Sequence, residues 1–196
     1  MRKLILQMQM SVDGYVADEN GQTDWMVWNW GEEWNWDAEL RRYHNDVAAS
    51  MDCVLLSRKM AQEGFIHYWA TVAEKHDNPQ SGFARKITEA QKVVFTKTLN
   101  MSEWHNTVLA KGDLAEEVNK LKNISGRNII TYGGATFASS LLQAGLVDEL
   151  HLIINPSILG SGLPIFDKIR GAQRLSLIHS ASYKGGIIVS QYKSRP

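Results

Sequence analysis

The sequence predicts an α/β domain with a mostly parallel central sheet, helices on both faces and an antiparallel hairpin closing the chain. Two observations predict it. Short apolar runs alternate with helical patterns along most of the chain, the order that crossover-connected parallel strands require. The last two runs, "RLSLIHSASY" and "IIVSQYK", are separated by Lys184-Gly185-Gly186, and a glycine pair suits a hairpin turn.

Taken in order, Leu4 to Met10 reads as a buried strand. Ser11 to Asn35 is rich in glycine, aspartate and tryptophan and reads as an irregular loop. Leu40, Tyr43, Val47 and Met51 recur at helical spacing, so residues 37–50 read as a helix that Asp37 can cap. Asp52 to Leu56 is a strand, and Ser57 opens a short helix running to Glu63. Residues 64–80 read as irregular, ending at Asn78-Pro79. A helix over Phe83–Glu89 leads to the strand "KVVFT"; the strand "TVLA", a helix over 113–122 and the strand "NIITY" follow. Ala135–Ala144 is a helix for which Gly145 is a natural stop. The strand "DELHLIINPSIL" then precedes the hairpin. No repeat, low-complexity tract or linker divides the chain, so residues 1–196 are expected to form one domain.

The totals exclude several classes. A chain of 196 residues can bury a substantial core. Lys+Arg and Asp+Glu are both 21, which argues against a nucleic-acid binder held by bulk electrostatics. The one cysteine, Cys53, lies in the apolar run "DCVLLS" and reads as a small buried residue; it fits a reducing compartment. The apolar start "MRKLILQMQM" is interrupted by glutamines and reads as a first strand rather than a signal peptide. No window approaches the ~18 apolar residues of a membrane span, and a cytoplasmic location is expected. His67, His76 and His105 are scattered, so no metal is expected.

The chemistry-bearing feature is "TYGGATFASSLL". Gly133 and Gly134 lack a Cβ and let backbone N–H groups approach a ligand where a strand hands over to a helix. The helix start, at Ala135 and Thr136, favours an anion. A diphosphate suits such a turn, although the spacing is not the G-x-G-x-x-G of a Rossmann fingerprint. Ser57, Arg58 and Lys59 stand at a second strand-to-helix junction, and Arg58 can bind phosphate bidentately. Thr96, Lys97 and Thr98 stand at a third strand end. Two hydroxyls around a lysine suit the 2′-phosphate that separates NADP from NAD. Ligands gather at strand carboxyl ends in open α/β sheets, so the three together point to a dinucleotide, NADPH.

These segments, with "MSVDGYVA" and "YGGATFASSLLQAGLVDELHLIINPSILGSGLPIF", occur in the order of a known family. The chain resembles the dihydrofolate reductase-like superfamily, and within it the C-terminal reductase domain of the bifunctional riboflavin biosynthesis protein. The resemblance implies a three-layer α/β fold that binds NADPH. Gly133, Gly134, Ala135, Thr136 and Arg58 match the family pattern; Ser57 and Met60 depart from it. The segment Leu159 to Phe166 also matches, and its Gly160 and Gly162 suit a close loop beside substrate.

The implied reaction is hydride transfer from the nicotinamide to a carbonyl or imine of a pyrimidine- or pterin-like heterocycle. Asp13, in "SVDG", is the first candidate for a proton-donating acid, with a turn-forming role as the alternative. Asp37 and His44 are weaker candidates. Trp25, Trp28, Trp30, Trp34 and Trp36 concentrate in one loop. Trp25 there could stack on a flat substrate, or the loop could be a subunit interface or a lid. A ribose phosphate on the substrate would need further cations, for which Arg41, Arg42 and Lys168 are available. A homodimer is expected. The competing reading is a non-catalytic nucleotide-binding or interaction protein on the same fold.

Overall fold

A computed structural model describes residues 1–29 and 36–194. The fold is α/β: an eight-stranded, mostly parallel central sheet with helices, and a separate two-stranded antiparallel sheet. The chain forms two compact units, Met1–Leu4 with Tyr43–Gly134, and Ile5–Arg42 with Ala135–Pro196.

The first unit holds β3 (Met51–Ser57), β4 (Gln91–Phe95), β5 (Thr107–Ala110) and β6 (Asn128–Thr131), in the order β5-β4-β3-β6. All their pairings are parallel. Val54, Leu55, Leu56, Ile129 and Ile130 are fully buried, as strands covered on both faces require. Between β3 and β4 run α2 (Arg58–Gln62), α3 (Phe65–Glu74) and α4 (Ser81–Glu89). From β5 the chain returns through α5 (Leu114–Asn123) to β6, on the far side of β3. Right-handed crossovers in opposite directions put α5 on the other face from α2–α4.

Helix α3 corrects the irregular stretch expected over 64–80. Aromatic and β-branched residues dominate "FIHYWATVAE", Gly64 precedes it with φ 101°, and no side chain caps it. Its local propensity is weak, and burial of Trp69 and Val72 on one face makes it a helix. Lys92 is buried, and its ammonium donates to the Thr88 carbonyl at 2.7 Å, at the carboxyl end of α4. Cys53, on β3, is 1% exposed, and burial pushes its thiol up to about 11.

The second unit holds β1 (Leu4–Met10, from Ile5 onward), β7 (Glu149–Ile154), β10 (Ile188–Ser194) and β9 (Leu175–Ser182), in that spatial order. β1 and β7 are parallel; β10 is antiparallel to both β7 and β9. The first part of α1 (Ala38–Ala49) and all of α6 (Ala135–Gln143) belong here. Asp37 caps α1, accepting from the Leu40 amide at 2.8 Å, and also holds the Lys184 amide at 2.9 Å. Gly145, with φ 64°, ends the turn after α6.

Two further expectations are corrected in this unit. The loop over 11–35 contains a strand, β2 (Tyr15–Ala17), paired antiparallel with β8 (Leu163–Pro164), and a 3-10 turn at Val27–Asn29. The strand expected over 148–159 stops at Ile154, because Pro156 cannot donate to a ladder. Among the described residues no helix is long and apolar enough to cross a membrane.

Candidate functional site

Because the first unit's strands are parallel, their carboxyl ends share one edge. Ser57 is level with Phe95, Phe95 with Ala110, and Leu55 with Thr131. That register brings Ser57–Lys59, Thr96–Thr98 and Gly133–Gly134 to the same edge. β3 and β6 flank the point where the strand order reverses, which is where open α/β sheets bind ligands.

At the end of β6, Gly133 has φ 149° and Gly134 φ 71°, positive angles that L side chains avoid. Gly134 is exposed, and α6 begins at the next residue. At the end of β3, Arg58 is exposed and its side chain makes no hydrogen bond or ion pair with any described residue. It is the side chain best placed to accept an anion there. Ser57 caps α2 by accepting from the Met60 amide at 3.1 Å. Lys59 lies 3.5 Å from Glu63 in an exposed pair.

At the end of β4, Thr96 Oγ1 accepts from the amides of Thr98 and Leu99, both at 3.1 Å. The Lys97 ammonium donates to the carbonyls of Lys111 and Gly112, both at 2.7 Å. An ammonium has three N–H groups, so one remains for a ligand. The loop that follows lines a cavity of about 410 Å³ with Gln62, Leu99, Asn100, Met101, Ser102, Glu103 and Trp104. Nothing in the sequence singled out that cavity, because its walls come from one helix and a distant loop.

Sequence reasoning also passed over Thr131 and Tyr132, which immediately precede the glycines. Thr131 Oγ1 and the Tyr132 hydroxyl are buried and have no hydrogen-bond partner among the described residues. Burial raises the pKa of the Tyr132 phenol. Its ring packs among Phe65, Phe83 and His44, with centroids at 6.3, 5.6 and 6.4 Å. His44 itself stacks on Phe83 at 4.1 Å, and burial lowers its pKa to about 3. His44 is therefore a neutral packed residue at physiological pH.

The second unit contains Asp13, Trp25, Gly160 and Gly162. The Asp13 carboxylate accepts from the Gly160 amide at 2.7 Å and the Leu159 amide at 3.2 Å. A hydrogen bond from the Ser11 side chain, then those amides, hold its carboxyl below the usual range against a desolvation cost. Gly162 has φ 153°, and a Cβ there would lie 2.3 Å from the Ala17 carbonyl oxygen. Trp25 donates from its indole to the Gln22 carbonyl at 3.2 Å. Trp28 and Trp36 stack at 5.4 Å; Trp30 and Trp34 lie outside the described residues. Lys168 donates to Ser140 Oγ at 3.2 Å.

The residue that organises this region is Asn155, fully buried and absent from the sequence-based candidates. Its side chain accepts from the Val27 amide at 3.0 Å and donates to Gln9 at 3.2 Å. Two residues on, Ser157 donates to the Trp25 carbonyl at 3.2 Å. The Asn-Pro pair after an apolar run was the available signal. Among the described residues no group of three or more His, Cys, Asp or Glu could hold a metal ion.

Comparison with known proteins places this geometry. The uncharacterized protein YyaP of Bacillus subtilis is 27% identical over 193 residues, covering 97% of this chain and 94% of its own. The riboflavin biosynthesis protein RibD of Escherichia coli is 26% identical over 199 residues. That match covers 87% of this chain and 53% of RibD, so the chain corresponds to about half of that protein. The crystal structure of a putative riboflavin biosynthesis protein from Shewanella sp. PV-4 superposes with a TM-score of 0.72 at 20% identity, covering both chains fully. A deaminase/reductase from Thermotoga maritima gives a TM-score of 0.69 at 16% identity, over 99% of this chain and 57% of that one. The RibD C-terminal domain model matches residues 2–189; the chain belongs to the RibD C-terminal domain family.

Proposed function

We propose that the chain is a single-domain, NADPH-dependent reductase, cytoplasmic and homodimeric, that passes hydride to a carbonyl or imine of a pyrimidine- or pterin-like heterocycle. The observation that carries this reading is the Gly133-Gly134 turn beside the uncommitted Arg58 at the reversal of strand order. The residues present fit a dinucleotide. Positive-φ glycines leave amide hydrogens bare for a diphosphate. Arg58 adds a fork of charged donors, and the remaining Lys97 N–H serves a 2′-phosphate. The cavity lined by Leu99 and Trp104 is of the size that takes a heterocycle. Ser57, Lys59, Thr96 and Thr98 shape that edge, and Ala135 and Thr136 supply the first amides of α6.

Bound NADPH would contribute the hydride; binding and orientation fall to the chain. Asp13 enters the proposal as a positioning residue. An ionised carboxylate that accepts two backbone amides holds Leu159–Gly160 in place and has no proton to give at neutral pH. Trp25, Gly160 and Gly162 are proposed for the substrate side. The same committed carboxylate favours the competing reading, nucleotide binding without turnover.

Thermal shift with NADPH and NADH is the first test. NADPH is expected to stabilise the chain more than NADH. Arg58→Ala and Gly133→Ala should each weaken NADPH binding about tenfold or more, the worth of a charge-assisted hydrogen bond. No shift with either cofactor would end the reductase reading. Binding without NADPH oxidation across a panel of oxidised pyrimidines and pterins would select the non-catalytic one.

A further inference from the structure

Aromatic rings from separate segments of the first unit meet at the end of β6: His44 of α1, Phe65 and Trp69 of α3, Phe83 of α4, and Tyr132. They differ in burial. Phe83, 3% exposed, and Trp69, 9%, pack edge to face at 4.7 Å and make a buried floor. His44, Phe65 and Tyr132 are only half-buried. Tyr132 neighbours both of the others. Phe65 lies nearly parallel to it, at 6.3 Å and 28°, and His44 stands on edge at 6.4 Å and 62°. A packed floor holds these side chains in place, so a ligand loses little in ordering them. Tyr132 is also bonded directly to Gly133, the start of the turn assigned above to a diphosphate.

None of the three half-buried rings is charged near neutral pH. Burial keeps the His44 imidazole neutral down to about 3 and the Tyr132 phenol protonated. Neither α3 nor residues 43–49, the part of α1 in this unit, contain a lysine or arginine. On α4, Arg85 is engaged with His76 at 2.7 Å, and Lys86 lies 3.6 Å from Glu89. A phosphate needs cations or bare amides, whereas a flat ring needs aromatic faces. This surface supplies the second. A single six-membered ring covers one of its side chains; a fused system reaches from Tyr132 across to a neighbour.

We propose that Phe65, Tyr132 and His44 are the stacking platform for the hydride acceptor, and that the acceptor is an uncharged fused heterocycle of the pterin or isoalloxazine class rather than a pyrimidine bearing a ribose phosphate. This deepens the reductase reading given above and rests on it. The acceptor's C=N bond takes two electrons as hydride from the dihydronicotinamide and a proton from solvent. Its π bond gives way to one C–H and one N–H bond, and the cofactor leaves oxidised. The Tyr132 hydroxyl is buried and has no partner among the described residues, so the platform works through ring faces.

The test is calorimetric titration of pterin, lumichrome, uracil and uridine 5′-phosphate into the full chain, with NADP+ present so that nothing turns over. Pterin or lumichrome should bind at least about tenfold more tightly than uracil or uridine 5′-phosphate. Tyr132→Leu and Phe65→Leu should each weaken the fused rings about tenfold, while the thermal shift with NADPH persists and reports an intact fold and cofactor turn. Tyr132→Phe, which keeps the ring and removes the hydroxyl, should restore affinity to within about threefold of wild type. Should Tyr132→Leu fail to fold, Phe65→Leu and the wild-type series decide. Tightest binding of uridine 5′-phosphate would hand a phosphate to Arg41 or Arg42, which precede residue 43 on α1, and overturn the uncharged class. Fused rings that fail to bind, or bind wild type and Phe65→Leu equally, overturn the platform and leave the reductase reading, which stands on NADPH, in place. No shift with NADPH ends that reading and the acceptor role with it, even where a fused ring still binds.

Discussion

His44 shows how one buried side chain sets an acid limit. Its imidazole is neutral in the fold down to pH about 3 because burial disfavours the cation, whereas in the unfolded chain it protonates near its ordinary value of ~6.5. Between those values the unfolded chain binds the extra proton, so stability falls as pH falls from about 6.5 toward 3. By pH ~5 the loss is about 2 kcal/mol. His44→Leu should flatten that limb of the unfolding free energy measured in urea between pH 7 and 4. A slope equal to the wild type's would show that His44 titrates normally. A second residue-scale prediction concerns two glycines of one loop. Gly160 has open space around a would-be Cβ, and Gly162 has the Ala17 carbonyl oxygen at 2.3 Å. Gly160→Ala should cost about 1 kcal/mol, the strain of a left-handed backbone alone. Gly162→Ala should cost about 1–3 kcal/mol more from the clash. Paired thermal melts check the order; equal losses would mean that the β2–β8 pairing gives way freely.

Elements were legible in the sequence where their signals are local. The short helix α2 was readable from Ser57, whose hydroxyl does cap it. The glycine turn was readable too, because positive φ is written into residue type. Helix α3 was not, since its sequence is a poor helix former and only burial of Trp69 and Val72 organises it. The β2–β8 pair was invisible for another reason: Tyr15 and Pro164 are far apart in sequence, and a three-residue strand has no pattern of its own. The candidate site divides the same way. Its pieces sit at strand ends that the sequence could mark, but their common level follows from the pairing of β3 with β4 and β6. That pairing also explains why Thr96 and Lys97 are partly spent on their own loop: the end of β5 lies beside β4, so the Lys111 and Gly112 carbonyls come within reach of Lys97.

At the scale of the whole molecule, neither compact unit is a continuous stretch of chain. The boundaries fall inside β1, between Leu4 and Ile5, and inside α1, between Arg42 and Tyr43. Melting one unit alone would break a strand and a helix partway along, which opposes independent unfolding. Calorimetry should therefore show one transition, and saturating NADPH should raise it as a whole, by about 2.7 kcal/mol at a hundredfold excess over Kd. Two resolved transitions, with only one responding, would show that the units fold separately. Such openings have an internal reporter. Cys53 lies within β3, 1% exposed, with its thiol held protonated. A thiol-specific alkylating reagent added to the folded protein would find no exposed thiol. Every adduct would record an excursion in which the middle of β3 came apart, so the alkylation rate, followed by mass spectrometry, would time how often the heart of the sheet breathes.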